Sequence, residues 1–289
     1  MAEPHMRTPD VSDFEFVRPP DLPGGEPPRP RVPVWWIVAA GLVVAAVGVY
    51  IATVRRTAPP AATAARTATN AASDRPLGYN ADRIDLPPLD QTDPLVRNLV
   101  KQISSNPSVA AWLTSDRLIR NFVAVVSNVA EGPTPAAHLR VLRPAMGFKV
   151  NERGARTVID PRSYERYDAF AAAAASIDPA GAARLYATLK PRLEEAHRDL
   201  GSNTSLDRTL EQAIVALLKT PVVADPIGVR PEGGTGYAFS DPALEALTPA
   251  QKQLLRTGGA NVAKIQGSLR SIALALGIPA ERLPSSTAR

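Results

Sequence analysis

The chain has 289 residues, 33 of them basic and 28 acidic, for a formal net charge of +5. The two signs are mixed along it without a run of Lys and Arg, which argues against a nucleic-acid footprint. Cysteine is absent, so disulfides, thiolate nucleophiles and cysteine-ligated metals are excluded together. Of the three histidines, His5, His138 and His197, the first lies in a polar tail, which leaves too few for a His-rich zinc site. Neither a metal nor a cofactor is expected.

Residues 1–33 hold nine prolines and six carboxylates among few apolar side chains. That composition cannot bury enough surface to offset the entropy of ordering, and a disordered tail is expected. Within it, Asp13-Phe14-Glu15-Phe16-Val17 alternates acid and aromatic residues like a short docking motif, and Pro27-Pro28-Arg29-Pro30-Arg31 has the form of a polyproline ligand. A solvated tail is the plainer reading of both.

Residues 34–54 run for 21 positions without a charged side chain, between Arg29 and Arg31 on one side and Arg55 and Arg56 on the other. As a helix they reach roughly 31 Å, the hydrocarbon thickness of a bilayer. Trp35, Trp36 and Tyr50 sit near the two ends, where amphipathic rings prefer to lie. A single transmembrane helix is therefore expected, since a signal peptide would have a shorter apolar region and no proline-rich tail before it. Gly41, Ala45, Gly48 and Ala52 form a stripe of small residues that permits self-association into a homodimer. Residues 55–85, rich in Ala, Thr and Pro, read as a linker.

From Leu86 to about residue 278 the texture is that of a helical domain, with residues 279–289 as a disordered end. Asp93-Pro94, Asn106-Pro107, Asp160-Pro161, Asp178-Pro179, Asp241-Pro242 and Thr248-Pro249 each place a capping side chain before a proline, a helix-start signal. The stretches 116–130 and 205–219 put their apolar residues on one face, as core helices do. Between Asp178 and Gly201 the periodicity continues past Pro191, which predicts a kink or a division there. Phe148–Val150 with Thr157–Ile159, and Ile227–Arg230 with Tyr237–Phe239, read as one or two short β-hairpins whose mutual pairing would join the halves of the domain. The expected fold class is mainly α: one transmembrane helix, then a compact multi-helix domain.

The chain carries no H-E-x-x-H, phosphate-binding loop, nucleophile elbow or S-x-x-K pair. Gly233-Gly234-Thr235-Gly236 opens onto a strand, a hairpin turn rather than a phosphate cradle. Asp207 with Glu211, and Glu194 and Glu195 beside His197, read as surface acids paired with Arg208 and Arg198. The unusual polar group is Tyr164-Glu165-Arg166-Tyr167-Asp168 before an Ala171–Ala175 run that allows a neighbouring helix to come close. Tyr164, Arg166, Tyr167 and Asp168, joined by Arg120, Asn121 and Asn128, form either a structural polar network or a ligand cleft. No catalytic residue is assigned.

Several stretches together resemble a bacterial family of membrane-anchored proteins, domain of unknown function 3014. They are Leu86-Pro87-Pro88-Leu89-Asp90, Leu118–Val123 with Asn128, Tyr164–Asp168, Leu185-Tyr186, Asp241–Leu247 and Gln251–Arg256. The chain departs from the family pattern at Ser205-Leu206-Asp207-Arg208, where an aromatic and an asparagine are lacking, and at Ala238 and Ser240. The resemblance implies a tail, one span and a helical domain, and it brings no catalytic residues.

The function expected from these features is that of a membrane-anchored, non-enzymatic envelope module. It would sit in the inner membrane with its domain outside the cytoplasm, binding a protein or a cell-wall component. The rivals are a cell-wall hydrolase using carboxylates such as Asp168, Asp207 or Glu245, and an adaptor facing the cytoplasm.

Overall fold

Six proline-led helix starts were expected, and in the computed structural model the side chain before the proline accepts from a backbone N–H at the start of its own helix at five of them. The structure describes residues 76–285 apart from 79, 225, 234 and 235. The Pro-rich tail, the apolar run with Gly41, Ala45, Gly48 and Ala52, and the linker up to residue 75 lie outside the described residues, as do residues 286–289. No helix among the described residues is long and apolar enough to cross a membrane.

The order is α1 (Asp93–Ile103), α2 (Pro107–Trp112), α3 (Leu118–Glu131), β1 (Val150–Arg153), β2 (Arg156–Ile159), α4 (Arg162–Glu165), α5 (Asp168–Ala175), α6 (Pro179–Asp199), α7 (Leu206–Leu218), β3 (Gly228–Glu232), β4 (Gly236–Phe239), α8 (Pro242–Glu245), α9 (Pro249–Leu255) and α10 (Gly259–Ala275). The domain is mainly helical with one small sheet. Asn106 accepts from the Ser108 N–H at 2.9 Å, Asp178 from the Gly181 N–H at 2.8 Å, and Asp241 from the Ala243 N–H at 2.8 Å. Asp160 accepts from the Arg162 N–H at 2.8 Å, and Thr248 with Gln251 completes a capping box. Asp93 is the exception. Arg117 turns through a left-handed conformation at φ 53°, and the N–H groups of Arg117 and Leu118 donate to the Asp93 carboxylate at 2.7 and 2.9 Å. Asp93 thus caps α3, not its own helix.

The helix α6 continues through Pro191 as one element of 21 residues, so of the expected kink or division the division does not occur. Pro191 is exposed, and on the solvent side water substitutes for a lost helical donor.

The two hairpins join. All neighbouring strands are antiparallel in the order β1-β2-β3-β4, with Thr157 opposite Val229 at the central pair and Val229 opposite Phe239 at the next. One face buries Ile159, Val229 and Phe239 against Leu244, Leu255 and Tyr164 as a small core. The main core comes from α1, α3, α6, α7 and α10, where Leu118, Val123, Leu206 and Ala273 are at most 2% exposed.

Both ends of this core reach beyond the expected boundaries at 86 and 278. Leu77 is buried, and the Gly78 N–H donates to the Leu276 carbonyl at 2.9 Å. At the other end a 3₁₀ turn, Ala280–Arg282, carries Leu283 into the core, while Arg282 pairs with Glu211. Residues 279–285 are therefore not a disordered end: one apolar anchor and an ion pair hold them. Among the described residues the buried apolar side chains run from Leu77 to Leu283, within one compact unit, Asp74–Arg289, so that unit carries its own core.

Candidate functional site

The polar residues singled out from the sequence fall into separate groups. Tyr164 is buried, and its ring lies so close to Gly258 that a Cβ there would sit 2.7 Å from the tyrosine Cγ; Gly258 also holds φ at 89°. The Tyr164 hydroxyl accepts from the Ile227 N–H at 3.4 Å. Asn261 donates through one amide nitrogen to the Tyr164 carbonyl at 3.2 Å and to Asp168 at 2.8 Å. The Arg166 guanidinium stacks 4.9 Å from the Tyr167 ring centre and 5.6 Å from that of Phe148, and donates to the carbonyls of Ser163 and Met146. Tyr164 and Asp168 thus tie the segment before α5 to α10 through Asn261, while Arg166 and Tyr167 pack with Phe148.

The other three stand apart from them. Arg120 bridges Asp90 at 3.2 Å and Asp199 at 2.8 Å. Asn121 donates to the Asp116 carbonyl at 2.8 Å, and the Asn128 carbonyl accepts from the Gly132 N–H at 2.9 Å where α3 ends. The partners of Arg120, Asn121 and Asn128 named here are thus Asp90, Asp199, Asp116 and Gly132, not the tyrosine group.

The carboxylates weighed for hydrolysis are each tied down. Asp207 pairs with Lys190 at 2.6 Å, not with Arg208, and accepts from the Tyr186 hydroxyl at 2.6 Å and the Leu77 N–H at 3.1 Å. Glu245 accepts from Lys252 and from the Phe239 N–H, which hold its carboxyl below the usual glutamate range, the lysine being the larger cause. Glu195 pairs with Arg192 at 2.7 Å. His197 is 3% exposed; burial lowers its pKa, and Glu194 opposes the shift. Among the described residues no group of three or more His, Asp or Glu side chains is placed to hold a metal ion.

The concave feature lies elsewhere. A cleft of about 420 Å³ runs between α1, α3, α5, α6 and α10, within the range of roughly 300–1,000 Å³ usual for small-molecule sites. Its floor is core: Val96 and Val100 from α1, Leu118 and Ile119 from α3, Leu189 and Leu193 from α6. Val109, Trp112, Leu139 and Leu142, all half-buried, form its rim. Opposite these large side chains stand Ala173, Ala174 and Ala182, whose methyl groups do not fill the space. The alanine run that lets α10 approach closely, with Ser268 donating to the Ala174 carbonyl at 2.6 Å, is thus also the wall that leaves a void.

No charged side chain lines the cleft, and its hydroxyls are few. The Ser104 and Ser176 hydroxyls bond each other at 2.7 Å, and that of Tyr186 is committed to Asp207. A polar pocket of about 120 Å³ adjoins the cleft across Ile103 and Leu185 and presents Asp82, Gln102, Arg184 and Thr188. The apolar lining was legible only as core, because the signal for the cleft is a mismatch between alanines on α5 and large residues on helices distant in sequence.

A family model described as protein of unknown function (DUF3014) matches residues 118–273, more than half of the chain. The match opens at α3 and closes within α10, so α1, α2 and the Leu86–Asp90 stretch lie outside it. No curated protein and no solved structure matches the chain. The helices that supply most of the cleft wall, α3, α5, α6, α7 and most of α10, all fall inside the matched region, and the chain belongs to the DUF3014 family.

Proposed function

We propose that this protein is a non-enzymatic binding module, tethered to the bacterial inner membrane by residues 34–54, whose domain holds the hydrocarbon chain of a lipid-like amphipath in the apolar cleft. The observation that carries the reading is the cleft itself: about 420 Å³ lined by aliphatic and aromatic side chains and by no charge. A polar metabolite would leave its hydrogen-bonding groups unpaired there, whereas an alkyl chain gains roughly 0.8 kcal/mol for each methylene removed from water. The adjoining polar pocket, which Asp82 and Asp178 also line, offers Gln102 and Arg184 to the ligand's polar end. Carboxylate hydrolysis finds less support, because Asp168, Asp207 and Glu245 are each engaged by neighbouring donors and none lines the cleft.

The apolar run and its interfacial aromatics support anchoring, and a domain outside the cytoplasm suits a cysteine-free chain. The test uses the full-length chain in nanodiscs that contain a phospholipid with a photoactivatable group on its acyl chain. After illumination, adducts are expected on lining residues such as Trp112, Phe122 and Leu139. Adducts confined to residues 34–54 would sink the proposal.

A further inference from the structure

The segment that forms one rim of the cleft has two faces. Leu139 and Leu142 line the cleft, while Val141 and Met146 point outward at 43% and 58% exposure, two of the five exposed large hydrophobics among the described residues. Two consecutive 3₁₀ turns, Ala136–His138 and Arg140–Leu142, produce this alternation. The outer face is also basic. From Gly132 to Asn151 the chain has Arg140, Arg143 and Lys149 and not one carboxylate. None of these three cations is in an ion pair among the described residues, whereas Arg97, Arg120, Arg192 and Arg282 all are. Arg166 braces the segment from behind, donating to the Met146 carbonyl at 3.0 Å.

Exposed apolar side chains between unpaired cations are the composition of a surface that settles into an anionic lipid interface. A specific protein partner commonly covers about 800 Å² on each side, more than this short segment presents. A bilayer asks for less, because the tether keeps the domain beside it. Twenty-two residues, 55–76, separate the apolar run from Leu77 and can reach at most about 75 Å, so weak contacts act at high effective concentration. We propose that Leu139–Met146 is a membrane-contact loop, which docks the rim of the cleft on an anionic phospholipid surface with Val141 and Met146 entering the interface and Arg140, Arg143 and Lys149 meeting the headgroups. This deepens the lipid-binding reading and rests on its membrane tether, since it gives an acyl chain a path from the bilayer to the cleft.

The native chain has no cysteine, so single labels are clean. The full-length variants Val141→Cys, Met146→Cys and Leu200→Cys would each carry an environment-sensitive fluorophore in nanodiscs made of phosphatidylcholine with or without phosphatidylglycerol. Leu200 is 54% exposed at the end of α6 beside Asp199 and serves as the control. Emission at 141 and 146 is expected to rise several-fold and shift to the blue with phosphatidylglycerol, with quenching by spin-labelled lipid, and to stay unchanged at 200. Adding Arg140→Glu and Arg143→Glu to the Val141→Cys chain should abolish the response. Equal emission at 141 and 200 in both bilayers would overturn the proposal, and so would a response indifferent to phosphatidylglycerol. Photoactivated adducts that persist in the cleft while the fluorophores stay silent would discard the loop and keep the ligand site. Failure of the chain to enter nanodiscs would reject the tether, and this proposal with it.

Discussion

The hydroxyl of Tyr186 donates to the carboxylate of Asp207 at 2.6 Å, linking α6 to α7. Tyr186 lines the cleft, yet its one polar atom is spent on a neighbour that does not, which keeps the cleft apolar. Burial, then the bond to Asp207, pushes the phenol well above its usual range, so it stays a donor at any physiological pH. Tyr186→Phe leaves Asp207 its bonds to Lys190 and the Leu77 N–H, and is expected to lower stability by about 1–2 kcal/mol. Asp207→Ala strands the Lys190 ammonium, whose side chain is 19% exposed, and should cost more, about 2–3 kcal/mol. Urea denaturation of the fragment from Asp74 would read both, and the reverse order would contradict the role given to Asp207.

A void and a packed core respond oppositely to added bulk. Ala173 lines the cleft, whereas Ala213 belongs to the main core but not to the cleft. Ala173→Leu should therefore leave the Tm unchanged or raise it by about 2–4 °C, on a scale where 1 kcal/mol corresponds to that shift in a domain this size. Ala213→Leu should overpack and cost about 1–3 kcal/mol. Ala173→Leu is also expected to reduce photoactivated lipid adducts in the cleft. Equal destabilisation by the two substitutions would mean that the space beside Ala173 is not there.

Local signals carried well through this chain, and long-range ones did not. Asn106, Asp178 and Thr248 act on donors within three residues, so their roles follow from spacing alone. Asp93 looks identical in sequence but caps a helix 25 residues away, because Arg117 takes a left-handed turn that no composition announces. Each hairpin was readable by itself, whereas the β2–β3 pairing that unites them joins residues some 70 positions apart. Asp207 was assigned to its sequence neighbour Arg208, but its partners come from α6 and from Leu77. The cleft left no signal, since every residue lining it is also what a filled core would use.

The buried imidazole of His197 makes stability depend on pH. Its Nε2 lies 3.3 Å from the Thr209 hydroxyl, and its Nδ1 has no partner among the described residues. Burial lowers its folded pKa, with Glu194 acting the other way. Below the ordinary histidine value of about 6.5 the unfolded chain therefore binds a proton that the folded one refuses. The stability this represents is fully present above that value and is lost as the pH falls towards the lowered folded pKa, at no more than about 1.4 kcal/mol per pH unit. Glu245, also depressed, contributes in a separate window below the ordinary glutamate value. The urea midpoint of the Asp74 fragment should fall from about pH 7.5 to about pH 5.5, across the histidine range, and His197→Gln should flatten that slope. An unchanged slope in the variant would place the pH dependence elsewhere.

Orientation decides which bilayer leaflet the loop at Leu139–Met146 can meet. Arg29 and Arg31 before the apolar run nearly balance Arg55 and Arg56 after it, so the positive-inside bias does not choose. Cations deep in a long domain such as Arg140 and Arg143 have little say, because long domains translocate largely regardless of charge. We expect the tail inside and the domain outside the cytoplasm. Ser12→Cys and Asn203→Cys, made separately in the cysteine-free chain, would be exposed to a membrane-impermeant maleimide in cells whose outer membrane alone is permeabilised. Labelling at 203 and not at 12 is the expected result, and it makes the outer leaflet of the inner membrane the source of the acyl chain. Labelling at 12 alone would invert the protein: the cleft and the basic loop would then face the cytoplasmic leaflet, whose anionic lipids suit Arg140 and Arg143 equally well, and only the envelope location would fall.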